Sequence, residues 1–179
     1  MRGLCPYRVD IVKKGKNPLL LYNLNECSLV SLVSLSLSTM STGVTLNHFS
    51  TGYIEKRADS FVHQYKEDKN GCFIWMGAER RCTLDNGKRY GVFKLTEKPL
   101  KAITVYAHVF AYFIKHQELP SKTPAIDISH ICHHPKCVNV LHLSKEARQI
   151  NQQRRQCKAT RTCIGHGLHP NCIFFPPKK

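Results

Sequence analysis

The chain has 179 residues, with 27 Lys or Arg against 12 Asp or Glu and a formal net charge of +15. A basic excess of that size points to a polyanionic partner, because each phosphate neutralised by a cation releases counterions. Nine cysteines are an odd number, which excludes a complete disulfide framework, and the length allows one domain with a modest core plus an extension.

Residues 1–50 are rich in Ser and Leu, carry no motif, and read as an extension that is at most partly ordered. Within it, the apolar stretch from Leu19 to Leu37 is broken by Asn23, Asn25 and Glu26 and diluted with serines. It falls short of the about twenty mostly apolar residues a membrane span needs. It also starts too far from Met1 for a secretory leader. A charged segment at 55–70 suits a helix. GCFIWMG (71–77) and YGVFKL (90–95) read as strands, with turn chemistry between them in Asp85-Asn86-Gly87. Residues 71–95 are therefore expected to form a hairpin or small antiparallel sheet. It carries Arg80, Arg81, Lys88, Arg89 and Lys94, and such a basic sheet can lie in a major groove of DNA or simply be a solvated face. The stretch 105–120 is apolar at helical spacing, is closed by Pro120, and holds His108 as a packed core histidine. A further helix is expected after Ser144.

The chemistry concentrates in residues 126–172. Cys132, Cys137 and His142 follow a C-x4-C-x4-H spacing, and a closed zinc site needs a fourth ligand, for which Cys82 is the natural donor. A second set comprises Cys157, Cys163, Cys172 and one of His166 or His169. Cysteine mixed with histidine at short spacing in a basic chain favours zinc over disulfides, and with it a reducing compartment. His130 lies two residues before a zinc ligand, too close to join the same ion, and can act as a base toward water near neutral pH. Arg148, Asn151 and Arg155 share one face of the expected helix. The Asn151 amide oxygen suits a hard cation such as Mg²⁺, although a plain polar helix residue would read the same way.

SHICHHPKCVNVLHL (129–143) resembles the His-Cys box of group I intron homing endonucleases, members of the ββα-metal (His-Me finger) nucleases, and the likeness runs from Cys82 to Cys172. The resemblance implies a small zinc-stabilised α+β fold at 51–179, with an antiparallel DNA-reading sheet and two structural zinc sites. It makes His130 the general base and Asn151 the holder of one catalytic Mg²⁺. Cys82, Cys132, Cys137 and His142 become the first zinc site, and Cys157, Cys163, His169 and Cys172 the second, with His166 as the alternative ligand. In place of the family's arginine after the YGVF strand stand Lys98 and Lys101, which lack its planar fork. The resemblance further implies a nuclear homodimer that makes a double-strand break in duplex DNA. The alternatives are a less specific HNH-type nuclease and a non-catalytic zinc DNA-binding module.

Overall fold

In the computed structural model, which describes residues 45–83, 87–122 and 124–175, a 3₁₀ turn at Leu46–His48 leads into helix α1 (Thr51–Val62). Ser50 caps α1 by accepting a hydrogen bond from the Tyr53 N–H, which satisfies one of the helix's unpaired donors. The helix buries Ile54 and Phe61 and stops well short of residue 70. Beyond it, strand β1 (Tyr65–Glu67) runs antiparallel to β2 (Phe73–Trp75), with Tyr65 opposite Trp75. The intervening turn is built by Asp68, whose Oδ1 accepts from the Asn70 and Cys72 N–H groups, and by Gly71 at φ 73°.

That local turn overrides the hairpin expected over 71–95. Strand β2 pairs back onto β1, while β3 (Glu79–Arg81), β4 (Arg89–Leu95) and β5 (Ile103–Tyr106) form a separate antiparallel sheet in the order β3–β4–β5. Asp85 and Asn86 of the expected turn lie outside the described residues. Val105, expected on a helix, is a strand residue opposite Phe93, and helix α2 begins only at Ala107 and runs to His116 (Ala107–His116). It ends before Pro120 is reached, because Gln117 takes the left-handed conformation and its N–H closes on the Phe113 carbonyl.

One aromatic cluster holds these elements together. Phe61 stacks on Trp75 at 4.8 Å and meets Phe93 and Phe110 edge-on at 5.2 Å each. The Arg57 guanidinium covers the Phe93 ring at 4.5 Å. Glycine is required at 91, since a Cβ there would sit 2.5 Å from the Trp75 ring. Leu46 and Phe49 are buried in the same core, so residues 45–50, assigned to the extension on composition, pack with the domain.

The rest of the described chain is a second hairpin followed by a helix. Strand β6 (Ile126–His130) pairs antiparallel with β7 (Leu143–Ala147), and helix α3 (Arg148–Thr160) follows directly. The segment after Ser144, expected as helix, is strand up to Ala147 because it completes this ladder. The ladder ends at the His130–Leu143 pair, leaving residues 131–142 as a loop. Residues 161–175 carry no regular element and fold over the end of α3. Among the described residues no helix is long and apolar enough to cross a membrane.

Candidate metal centres and active-site pocket

Two clusters of three cysteines and one histidine are formed, each with its ligand atoms within 4.8 Å of one another. Three sulfurs and one imidazole nitrogen are a donor set that structural Zn²⁺ takes, so both clusters fit that ion. The first is Cys72, Cys132, Cys137 and His142, with His142 Nδ1 at 3.4 Å from Cys72 Sγ and 3.6 Å from Cys137 Sγ. Cys72, not Cys82, is therefore the distant member. The reason is backbone pairing: the Trp75 N–H donates to the Lys136 carbonyl, the Val138 N–H donates to the Phe73 carbonyl, and Ile74 bridges Cys137. Those bonds dock β2 on the 131–142 loop and bring Cys72 with it. Cys82 instead follows β3, where its N–H donates to the Lys88 carbonyl and its thiol lies beside the Tyr106 hydroxyl.

The thiols of this cluster cannot all ionise unaided. A hydrogen bond from the Cys137 thiol pulls Cys132 down to about 7, the same bond pushes Cys137 upward, and burial pushes Cys72 up to about 12. A bound dication would remove that conflict, since a coordinating thiol releases its proton to solvent and binds as the thiolate.

The second cluster is Cys157, Cys163, His166 and Cys172. His166 is buried, with Nε2 at 3.5 Å from Cys157 Sγ and 3.4 Å from Cys172 Sγ, so it fills the position for which His169 was preferred. His169 is only half-buried, one turn further on, and its N–H donates to the His166 carbonyl. Backbone N–H groups of Ile164 and Cys172 donate to Cys157 Sγ and Cys163 Sγ, the polar support that metal ligands normally receive.

A cavity of about 310 Å³ is lined among others by Lys88, His130, Asn151, Arg154, Arg155 and Lys158. His130 closes β6, and its Nε2–H donates to the Cys137 carbonyl at 3.0 Å. That bond assigns the proton to Nε2 and leaves the lone pair on Nδ1. The ring packs at 4.4 Å from that of His108 and at 6.2 Å from Tyr90. Burial above all, then the neighbouring His108, holds His130 well below the ordinary imidazole range, which keeps it neutral. His108 is buried, as expected for a core histidine, and hydrogen-bonds to the Ile128 backbone.

Asn151 reaches the cavity from α3. Its Nδ2 donates to Asp127 Oδ2 at 3.1 Å, and Arg148 pairs with the same carboxylate at 3.1 Å. The amide nitrogen is thereby committed and the oxygen Oδ1 is the atom left for a ligand. The pocket thus brings together His130 and Asn151 and adds Arg154 and Lys158, which the sequence did not single out.

The register of the β3–β4–β5 sheet sorts the expected DNA-contacting cations. Directly opposed residues share a face, so Arg80 lies with Tyr90, Lys94 with Thr104, and Val92 with the exposed Tyr106 on the face away from the buried Gly91, Phe93 and Leu95. Arg81 and Arg89 oppose each other on the other face, where Arg81 Nε donates to the Gly87 carbonyl and Arg89 pairs with Glu79 at 3.8 Å. Lys88 belongs to the cavity. Lys98 and Lys101 are exposed on the β4–β5 connection and are not among the cavity's lining residues.

Cys72 carried one faint signal, its place immediately before an aromatic strand. Asp127 and Glu146, the carboxylates that hold α3, carried none. Comparison with known proteins gives one family, described as the zinc-binding loop region of homing endonuclease, which matches residues 74–173. Seven of the eight clustered ligands fall inside that match, and Cys72 lies just outside it. No curated protein matches the chain.

Proposed function

Since the chain belongs to the family of the zinc-binding loop region of homing endonuclease, we propose that it is a site-specific endonuclease that cuts duplex DNA at the His130–Asn151 pocket. The observation that carries this reading is the hydrogen bond from His130 Nε2 to the Cys137 carbonyl, inside a cavity edged by Lys88, Arg155 and Lys158. It gives the imidazole a fixed tautomer whose free lone pair can take a proton from water, next to cations suited to a phosphodiester.

In this reading His130 Nδ1 accepts the proton of a water molecule as its oxygen attacks phosphorus, and the bond from phosphorus to the 3′ oxygen breaks. Asn151 Oδ1 takes a Mg²⁺ ion, a hard cation that favours oxygen ligands, and when bound this ion supplies Lewis-acid stabilisation of the charge on the phosphate and the departing oxygen. Asp127 keeps the Asn151 amide turned the right way. Cys72, Cys132, Cys137 and His142 would hold a zinc ion that immobilises Cys137, whose own carbonyl orients the base. Arg80, Lys94, Thr104 and Tyr106 on the outer sheet face meet the major groove, where such side chains can read base edges. A two-fold dimer would set two pockets across a pseudo-palindromic site, producing a double-strand break. Intron homing in the nucleus fits that activity.

The test is cleavage of a randomised duplex-DNA library by purified protein with Mg²⁺, beside His130→Ala. Discrete sites cut by the wild type and spared by the variant are expected. Scattered cutting lost in the variant would replace this reading with a less specific nuclease. Binding without cutting would leave a zinc DNA-binding module.

A further inference from the structure

Helix α3 carries Asn151, yet it docks without an apolar face: the only residues it buries are Arg154 and Cys157. Arg154 is 2% exposed and its partner Glu146, on β7, is also 2% exposed. The pair is bidentate, with Nε donating to Oε1 at 2.8 Å and Nη2 to Oε2 at 2.7 Å. Nη2 also donates to the Pro170 carbonyl at 2.8 Å, and Nη1 to Cys172 Sγ at 3.7 Å, so this side chain reaches the second zinc cluster. Glu146 in turn accepts from the Ser129 hydroxyl, next to His130 on β6. The hairpin register puts Asp127, Ser129 and Glu146 on one face, and α3 answers with Asn151 on Asp127 and Arg154 on Glu146. A second link runs parallel to it, from the Ile173 N–H to the Ile131 carbonyl.

We infer that Arg154 is a positioning residue of the active-site pocket, joining the second zinc loop to the strand of His130 and the helix of Asn151. Although Arg154 lines the cavity, four of its five N–H groups are already spent on Glu146, Pro170 and Cys172, which leaves little with which to clamp a phosphate. That task falls to the exposed Arg155 and Lys158 beside it. A buried ion pair adds little net stability relative to apolar residues of similar volume, so its value here lies in geometry. The bidentate fork fixes the rotation of α3 about its axis, and that rotation sets where Asn151 stands relative to His130. The inference rests on the cleavage reading for its kinetic consequence, while its structural part stands by itself.

The test uses the full chain with both zincs bound, comparing Arg154→Lys and the double variant Arg154→Met with Glu146→Met. Zinc per chain, melting temperature, affinity for a duplex site cut by the wild type, and single-turnover cleavage rate are measured together. The double variant is expected to keep two zincs, a wild-type melting temperature and wild-type affinity, while its cleavage rate drops about a hundredfold, the usual cost of an ångström of misplacement. Arg154→Lys, which keeps the charge and loses the fork, is expected to fall between, and it serves alone if the double variant does not fold. A folded variant that cuts at the wild-type rate, or one whose loss is entirely in affinity, overturns the inference. If the wild type itself does not cut, the cleavage reading fails, and the His130 ring N–H resonance decides the matter. A signal shifted or broadened by either substitution supports the positioning role, and an unchanged one overturns it.

Discussion

The two ends of the described chain are held by different physics. Around α1, β2, β4 and α2, four aromatic side chains close on one another within 5.7 Å and exclude water by bulk. From Ile131 to Phe175 the buried aliphatic side chains among the described residues are Ile131, Val138 and Leu143. Its buried groups are chiefly the ligand cysteines, His166 and the Arg154–Glu146 pair. Apolar burial needs no particular angle between neighbours, whereas a tetrahedral ion and a bidentate fork each impose one. The contrast teaches why the pocket borders the second region: His130 and Asn151 need fixed directions more than they need a large core.

Metal removal should separate the regions most sharply. Structural zinc contributes about 10–16 kcal/mol of binding free energy, as much as a whole small domain's stability. Chelation is expected to abolish hydrogen-exchange protection across 131–175 while part of the protection around Trp75 persists; uniform loss would make the two regions one cooperative unit. Within the same experiment Cys72→Ser should lose one zinc per chain and Cys82→Ser none, which checks the ligand assignment.

Phe61→Ala is the converse perturbation. Truncating a buried phenylalanine at the centre of the aromatic cluster should cost about 3–5 kcal/mol in chemical denaturation and leave zinc content intact.

A smaller effect links the regions through pH. Burial holds His108 down to about 4, below the about 6.5 of an exposed imidazole. The unfolded chain therefore binds a proton that the folded chain refuses. Stability from this group is fully present above about 6.5 and is lost as pH falls toward about 4, to a total of about 3 kcal/mol. His108→Gln should flatten the acid limb of stability against pH relative to wild type; identical limbs would exclude His108 as the cause.

The smallest contrast is on the sheet. Arg80→Ala, on the outer face, should weaken DNA binding by about 1 kcal/mol or more and reduce its salt dependence, whereas Arg89→Ala, paired with Glu79 on the opposite face, should change little. Equal losses measured by fluorescence anisotropy across a salt series would mean that the sheet's faces are not distinguished.

Legibility in the sequence followed the range of the contacts. Cys132, Cys137, His142, Cys157, Cys163 and Cys172 are close in the chain, so their spacing was enough to group them. Choosing between Cys72 and Cys82 required knowing which strand docks on the 131–142 loop, a long-range backbone pairing that periodicity does not encode. His166 and His169 differ by three residues, and only the path of the loop decides which ring turns inward. The strand at Leu143–Ala147 was hidden because its ladder partner, Ile126–His130, lies beyond a long metal loop. The Asp68 turn likewise redirected a strand whose composition was read correctly.

The most direct test of the pocket's chemistry is single-turnover cleavage of a duplex site by His130→Ala with and without added imidazole. The account predicts a loss of about 10²–10⁴-fold, the usual contribution of a general base, with unchanged DNA affinity and partial recovery in proportion to free imidazole base. A variant that cuts as fast as the wild type, or one whose loss is entirely in DNA affinity, would contradict it.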